Sequence, residues 1–221
     1  NKVPAKNSAA LSEVYHTVYF RPEDLFLIRE GAAARRKFLD TALCQLRPRY
    51  AAALTEYNRL YEHKTRILRD SEERPDLLAA LPDFNEQMVR FGAVLIHYRA
   101  QFAQALGKYA AVHHRECSGG KETLEICYQT VSSVTAPLGD LAVVTGQLRE
   151  HMERHQTAER ASRLCLSGPH KDDLSVTING KDAKMYASQG QTRTAALAMK
   201  LAEREIYQNA TGEYPVLLLD D

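Results

Sequence analysis

The chain has 221 residues, which at roughly 100–200 residues per domain allows one large domain or two small ones. Hydrophobic residues make up 44% and charged residues 26%, a balance that buries a core and argues against disorder. The net charge is +1, so a nucleic-acid site has to be a local patch and not a global basic field.

Residues 13–20, β-branched and aromatic, predict a strand, with a turn at Arg21-Pro22. Residues 33–70 read as helix, broken or bent near Pro48. From Tyr50 the stripe steps by threes and fours through Leu54, Tyr57 and Tyr61 to Lys64 and Leu68. Residues 70–83, with Pro75, Pro82 and a charge cluster, predict a loop. A second helix repeats the stepping through Phe84, Met88, Phe91, Leu95, Tyr98, Phe102, Ala105 and Tyr109. Two such helices joined by a loop are expected to lie antiparallel, in a compact bundle or in a protruding arm. Ser118-Gly119-Gly120 ends that helix, Leu124, Ile126 and Tyr128 alternate as a strand, and residues 140–164 are helical. Leu174, Val176 and Ile178 alternate before Asn179-Gly180, a tight-hairpin signal. A helix follows with Ala195, Met199, Ala202 and Ile206 on one face. Val216–Leu219 is a continuous apolar run, expected to be a strand buried on both faces of an α/β sheet.

No apolar run reaches the roughly 20 residues that cross a bilayer, and the opening Asn-Lys-Val-Pro has no signal-peptide core. Cys44, Cys117, Cys127 and Cys165 include no Cys-x-x-Cys pair and read as reduced cytosolic thiols. Both ends of the chain read as cuts in a longer protein.

Two motifs carry chemistry. The strand ending in Asp220-Asp221 has the Walker B form, in which one acid holds Mg²⁺ through water and the other orients the attacking water. Its plain alternative is a strand closed by an Asx turn. Ser188-Gln189-Gly190-Gln191 opens a helix. It is a capping box, and its free N–H groups and partial positive charge also suit a phosphate. A Ser-x-Gly-Gln helix start, one helix, then an apolar strand and paired acids is the order found in ABC ATPases. Weaker candidates are Arg35-Arg36-Lys37, as DNA-phosphate contacts or a solvated face, and His170 in a turn. His113, His114 and Cys117 lack a fourth metal partner, and His151 and His155 read as surface residues.

These motifs resemble the RecF family of bacterial recombinational repair ATPases. The resemblance rests on Phe20-Arg21-Pro22-Glu23-Asp24-Leu25, Arg35-Arg36-Lys37-Phe38-Leu39-Asp40, Gly168-Pro169-His170-Lys171-Asp172-Asp173, Ser188-Gln189-Gly190-Gln191 and the segment from Gly212 to Asp221. It implies an α/β fold, part of a P-loop, SMC-like ABC ATPase head with an inserted helical lobe. Residues 1–40 and 165–221 then belong to the head and 41–164 to the lobe. It also implies ATP with Mg²⁺ at Asp220, Asp221 as catalytic base, and Ser188, Gly190 and Gln191 on the γ-phosphate of ATP held by a second subunit. DNA, at single-strand/double-strand junctions or gaps, would meet Arg35, Arg36 and Lys37. Further implications are an ATP-driven homodimer, the mediators RecR and RecO as partners, no membrane, and a bacterial cytoplasmic setting. No Gly-x-x-x-x-Gly-Lys-Ser/Thr loop occurs in the sequence, so this chain by itself is expected to be inactive on ATP. The rival readings are another SMC-like ATPase, whose coiled coils are far longer, and a helical interaction module without nucleotide.

Overall fold

The structure is a computed structural model that describes residues 16–220. In chain order its elements are β1 (Thr17–Phe20), α1 (Ala32–Leu46), α2 (Pro48–Asp70), α3 (Leu81–Cys117), β2 (Leu124–Gln129), α4 (Leu141–Ser162), β3 (Asp173–Ile178), β4 (Lys181–Asp182), α5 (Ala183–Tyr186), α6 (Gln189–Thr211) and β5 (Val216–Leu219). Short 3-10 turns lie at Pro22–Phe26, Pro75–Ala80 and Pro169–Lys171. The chain divides into two compact units. One takes the residues up to Pro48, Phe102–Tyr128 and Asp173 onward; the other takes Arg49–Gln101 and Gln129–Asp172. Residues 102–128, inside the stretch read as a helical lobe, thus pack in the first unit, because β2 lies beside β3 in one sheet.

The first unit holds two small sheets. β1 and β5 pair in parallel, with Tyr19 opposite Leu218 and Phe20 opposite Leu219. β2, β3 and β4 form the other sheet. The β3–β4 hairpin turns at Asn179 (φ 52°) and Gly180 (φ 73°), the paired positive φ of a type I′ turn. α6 buries Ala195, Met199, Ala202 and Ile206 as its periodicity requires, and ends at Gly212 in the left-handed conformation. Of the strand expected over 13–20, Thr17–Phe20 is seen, His16 precedes it outside the strand, and positions 13–15 lie outside the described residues. One expectation fails. Val216, Leu217 and Leu218 of β5 are 51%, 42% and 47% exposed. An apolar strand is buried on both faces only where a layer covers each, and among the described residues β5 pairs with β1 alone.

A buried arginine ties this unit together. Arg35 on α1 is 5% exposed. Its Nε and Nη2 donate to the two oxygens of Asp173 at the start of β3, at 2.6 and 2.8 Å. Its Nη1 faces the carbonyls of Leu27, Ile28 and Glu30 at 3.3, 3.0 and 2.7 Å. Burial pushes the Asp173 carboxyl up, but the Arg35 hydrogen bonds and charge outweigh it and hold it below the usual carboxylate range.

The second unit is helical. Pro48 opens α2 at a position where its missing N–H costs nothing, and it forces Arg47 into an extended conformation that breaks α1 from α2. Residues 92–96 of α3 are all buried, so the helix is covered around its whole circumference there. A protruding pair would bury one stripe; this is a compact bundle. α4 supplies the extra cover: a methyl group on Gly92 would lie 3.1 Å from Leu148 of α4 and 3.2 Å from Tyr57 of α2. Lys64, the break in the apolar stripe, is fully buried and its ammonium lies 2.6 Å from Glu159 of α4. The other Glu159 oxygen accepts from the N–H groups of Leu166 and Ser167 at 2.8 and 3.2 Å. Burial here pushes the Cys165 thiol up to about 11.

His170 is a turn residue with both ring nitrogens committed. Its Nε2 donates to the Cys165 carbonyl (3.1 Å), and its Nδ1 accepts from the Tyr57 hydroxyl (2.8 Å). The Cys165 carbonyl can only accept, which places a proton on Nε2. Tyr61 packs on its ring at 4.5 Å between centroids. His151 is buried instead of lying on the surface, and burial first, then His155, pushes its pKa down.

Arg35→Ala is expected to cost about 3 kcal/mol, the low end for a broken buried pair because Asp173 keeps some solvent. Since the Asp173 pKa is lowered on folding, the pair's contribution is present above the unfolded carboxylate pKa of about 4 and is lost as pH falls through the lower folded value. Urea unfolding at acid and neutral pH checks both: the variant should lose stability mainly at neutral pH. Lys64→Met should cost about 3–5 kcal/mol, since it strands Glu159 as an uncompensated buried charge. The Lys64→Met, Glu159→Leu double variant should recover much of that in the same measurement.

Candidate functional site

The residues singled out by sequence fall in three places of the first unit. The first is the start of α6. Ser188 caps the helix in an extended conformation. The Gln191 N–H donates to Ser188 Oγ at 3.2 Å, and the Ser188 N–H donates to Gln191 Oε1 at 2.8 Å, a complete capping box. Gln189 and Gly190 occupy the first turn, where N–H groups have no acceptor within the helix. A methyl group on Gly190 would meet only Ser188 Oγ, at 3.9 Å, so nothing inside the folded chain demands glycine there. Gln191 Nε2 donates to Glu122 Oε1 at 2.8 Å. Beside this turn a cleft of about 240 Å³ is lined by Asn179, Lys181, Tyr186 and Gln191, and Tyr186 is 73% exposed.

The second place is the tip of β5. The Asp220 N–H donates to the Phe20 carbonyl at 3.0 Å, which pins the acid at the end of the parallel pair. The Tyr19 hydroxyl donates to Asp220 Oδ2 at 2.7 Å, and that bond pushes the Tyr19 phenol pKa up, keeping it a donor. Asp220 is exposed. A hard oxygen donor with one oxygen oriented and Oδ1 left for a cation or its water fits Mg²⁺. Asp221 lies outside the described residues. Tyr19 also lines a cleft of about 410 Å³ with Arg21, Asp24, Lys37, Lys200 and Glu203. Lys200 and Glu203 pair at 2.6 Å on α6, and burial pushes the Glu203 carboxyl up against the opposing pull of Lys200.

The third place is α1, and here the sequence expectation needs correction. Arg35 does not offer its guanidinium to a DNA phosphate; that group is buried on Asp173 and three carbonyls. Arg36 is half-buried, and Lys37 is exposed on the cleft wall. The His113–His114–Cys117 group does not converge: His114 donates to Glu122 at 3.0 Å, His113 lies 3.7 Å from Glu116, and Cys117 is exposed. Among the described residues no three His, Cys, Asp or Glu side chains gather to hold a metal, and no helix is long and apolar enough to cross a membrane.

No hydrogen bond or ion pair among the described residues joins the Ser188 turn to Asp220. Tyr19 and Glu122 were not singled out by sequence, and His114 was singled out only as a possible metal ligand with His113 and Cys117. Tyr19 carries a weak signal, a tyrosine within the strand preceding the Phe-Arg-Pro-Glu-Asp turn. Glu122 and His114 carry none, because their meeting depends on how the chain reverses after α3.

No family model matches the chain. It is 36% identical over 219 residues to a DNA replication and repair protein RecF from Lachnoclostridium phytofermentans, covering 99% of this chain and 58% of that protein. It is 37% identical over 221 residues to a RecF from Symbiobacterium thermophilum, covering 100% of this chain and 58% of the relative. A solved structure of the recombination mediator protein RecF of the RecFOR pathway with an ATP analogue (RecF-ATPrS) superposes with a TM-score of 0.90 at 33% identity, covering 98% of this chain and 57% of that one. A RecF-ATP structure of the same pathway gives 0.84 at 35% identity, covering 94% and 55%. The chain therefore spans a little under three fifths of the length of the relatives it matches. With that resemblance running through all three places of the first unit and the helical unit alike, the chain belongs to the RecF family of DNA replication and repair proteins and has the fold of their SMC-like ABC ATPase.

Proposed function

We propose that the chain supplies the signature turn and the Walker B strand of an ATP-dependent DNA-binding protein of recombinational repair. One observation carries this: a serine-capped helix with an unconfined glycine in its first turn leads directly into a strand that ends on an oriented carboxylate. In this reading residues 1–40 and 165–221 serve the head, joined by the 102–128 stretch that packs in the first unit, and the rest of 41–164 serves the helical lobe. ATP is held between two copies. The Ser188 hydroxyl and the first-turn N–H groups of one copy meet the γ-phosphate bound by the other, which is why Ser188 and Asp220 need no contact within one chain. Asp220 holds Mg²⁺, which neutralises charge on the phosphate oxygens when bound. Asp221, an acid one methylene shorter than glutamate, orients the attacking water and favours slow turnover. Hydrolysis belongs to the full-length protein, since the loop that cradles the α and β phosphates does not occur in this sequence. The exposed face of β5 is where more chain of a relative-length protein would pack. DNA, RecR and RecO are the partners, in the bacterial cytoplasm. The relatives bearing the RecF name and the RecF-ATP structures of the RecFOR pathway support this reading over a nucleotide-free helical module.

An interface built this way is isologous, with two composite sites related by a two-fold axis. ATP offers the γ-phosphate contact and ADP does not, and only that difference in affinity can shift monomer toward dimer. Ser188→Arg should therefore abolish ATP-dependent dimerisation of the full-length protein in sedimentation while leaving monomer ATP binding within about twofold. A variant that dimerises with ATP as wild type does would leave Ser188 as a helix cap and nothing more. For DNA, Lys37→Ala should lower the magnitude of the log K versus log salt slope by about 0.9 on duplex. A slope unmoved by the change removes Lys37 from the DNA face.

A further inference from the structure

We infer that Glu122, held by His114, is a positioning residue for the Ser188 turn, so that the readiness of the signature element for ATP depends on a carboxylate about seventy residues upstream in sequence; the inference rests on the signature role proposed above. The path is continuous in hydrogen bonds. α3 ends at Cys117, and Gly119 (φ 62°) and Gly120 (φ 76°) reverse the chain in a conformation other residues adopt poorly. The reversal returns Glu122 to the last turn of α3, where the fully buried His114 donates from Nε2 to Glu122 Oε2 at 3.0 Å. His114 Nδ1 is buried with no hydrogen-bond partner among the described residues, so the ring's one polar bond in the structure is to this carboxylate. The next residue is clasped by Asn179. The Thr123 N–H donates to Asn179 Oδ1 and the Asn179 N–H donates to the Thr123 carbonyl, each at 2.9 Å. Asn179 is the first residue of the hairpin turn and so sits on a rigid support.

The remaining oxygen, Glu122 Oε1, accepts from Gln191 Nε2 at 2.8 Å. That bond decides how the Gln191 amide lies. With Nε2 drawn to Glu122, Oε1 points at the Ser188 N–H and the capping box closes. An amide without that anchor is free to turn about its last torsion, and the box loses one of its two bonds. A carboxylate acceptor is suited to the task, because hydrogen bonds with one ionised partner are about twice as strong as neutral ones. The contribution to ATP-driven dimerisation is preorganisation: the turn meets the phosphate already ordered, and the ordering cost does not fall on binding.

The test uses the full-length protein with Glu122→Ala, Glu122→Gln and Ser188→Arg. Hydrogen exchange of the free monomer reads positioning directly: protection at the Ser188 and Gln191 amides should fall in Glu122→Ala and persist in Glu122→Gln, whose carbonyl still accepts from Gln191. Sedimentation with ATP should show dimer affinity about tenfold weaker in Glu122→Ala, the scale of one lost hydrogen bond to a charged group, with Glu122→Gln within about threefold of wild type. Should Glu122→Ala not fold, Glu122→Asp, one methylene too short for both partners, carries the same expectation. Unchanged amide protection, or unchanged dimer affinity alongside a Ser188→Arg variant that no longer dimerises, overturns the inference and leaves the signature role standing. A Ser188→Arg variant that dimerises like wild type overturns the signature role and this inference with it.

Discussion

The first unit depends on finding partners for one buried guanidinium. Taking Arg35 out of water is expensive, and the fold repays it with a bidentate carboxylate and the carbonyls of the turn over 27–30. Those acceptors belong to two separate stretches, the turn after β1 and the start of β3, and α1 brings the arginine that joins them. Satisfying Arg35 therefore sets where β3 begins, and with it the hairpin, the Asn179 clasp and the approach of Glu122 to α6. The next acid upstream has a counterpart elsewhere: Asp172 is buried and its Oδ2 lies 3.4 Å from the buried Arg99 of the second unit. Two consecutive acids in the Gly168–Asp173 motif thus each answer an arginine within their own unit, which gives the motif a structural reason besides any catalytic one.

Periodicity and turn chemistry made most of the fold legible. The stripe on α6, the Asn179-Gly180 turn and the break at Pro48 follow from local rules, and each is where those rules put it. The readings that failed needed information beyond local sequence. A continuous apolar strand is called buried because parallel sheets are covered on both faces, but cover comes from other elements, and β5 has β1 alone among the described residues. The stripe on α3 matches an arm as well as a bundle, and the burial of 92–96 all round the helix, with Leu148 and Tyr57 crowding Gly92, separates them. Lys64 was a readable clue: a lysine in an apolar stripe asks for a buried acid, though nothing local names Glu159 as that acid.

The candidate site was legible where chemistry is local. Ser188 with Gln191 three residues on is a capping box in any context, and a strand delivering acids is a metal-site pattern on any α/β sheet. What could not be read was the fate of each donor. Three consecutive basic residues look alike in sequence, yet Arg35 is consumed by the fold while Lys37 remains on a cleft wall. The supports are all long-range. Tyr19 reaches Asp220 across 201 positions of sequence and Glu122 reaches Gln191 across 69, and no pattern of period two or 3.6 spans such gaps.

The capping box and the proposed phosphate contact would use different parts of the same side chain, so neither reading of Ser188 displaces the other. A hydroxyl has two lone pairs and one proton. Accepting the Gln191 N–H consumes one lone pair and leaves the proton to point at an anion, with the Gln189 and Gly190 amides beside it in the first turn. Gln191 is in the opposite position. Its Oε1 is committed to Ser188 and one of its two Nε2 protons to Glu122, which leaves a single N–H for anything outside the chain. In the proposed reading the weight of a γ-phosphate contact would therefore fall on Ser188 and the backbone, with Gln191 acting chiefly by holding them. That division also accounts for glycine at 190. With no internal crowding to explain it, the absence of a side chain matters only to something that approaches from outside, close enough to touch the backbone amides.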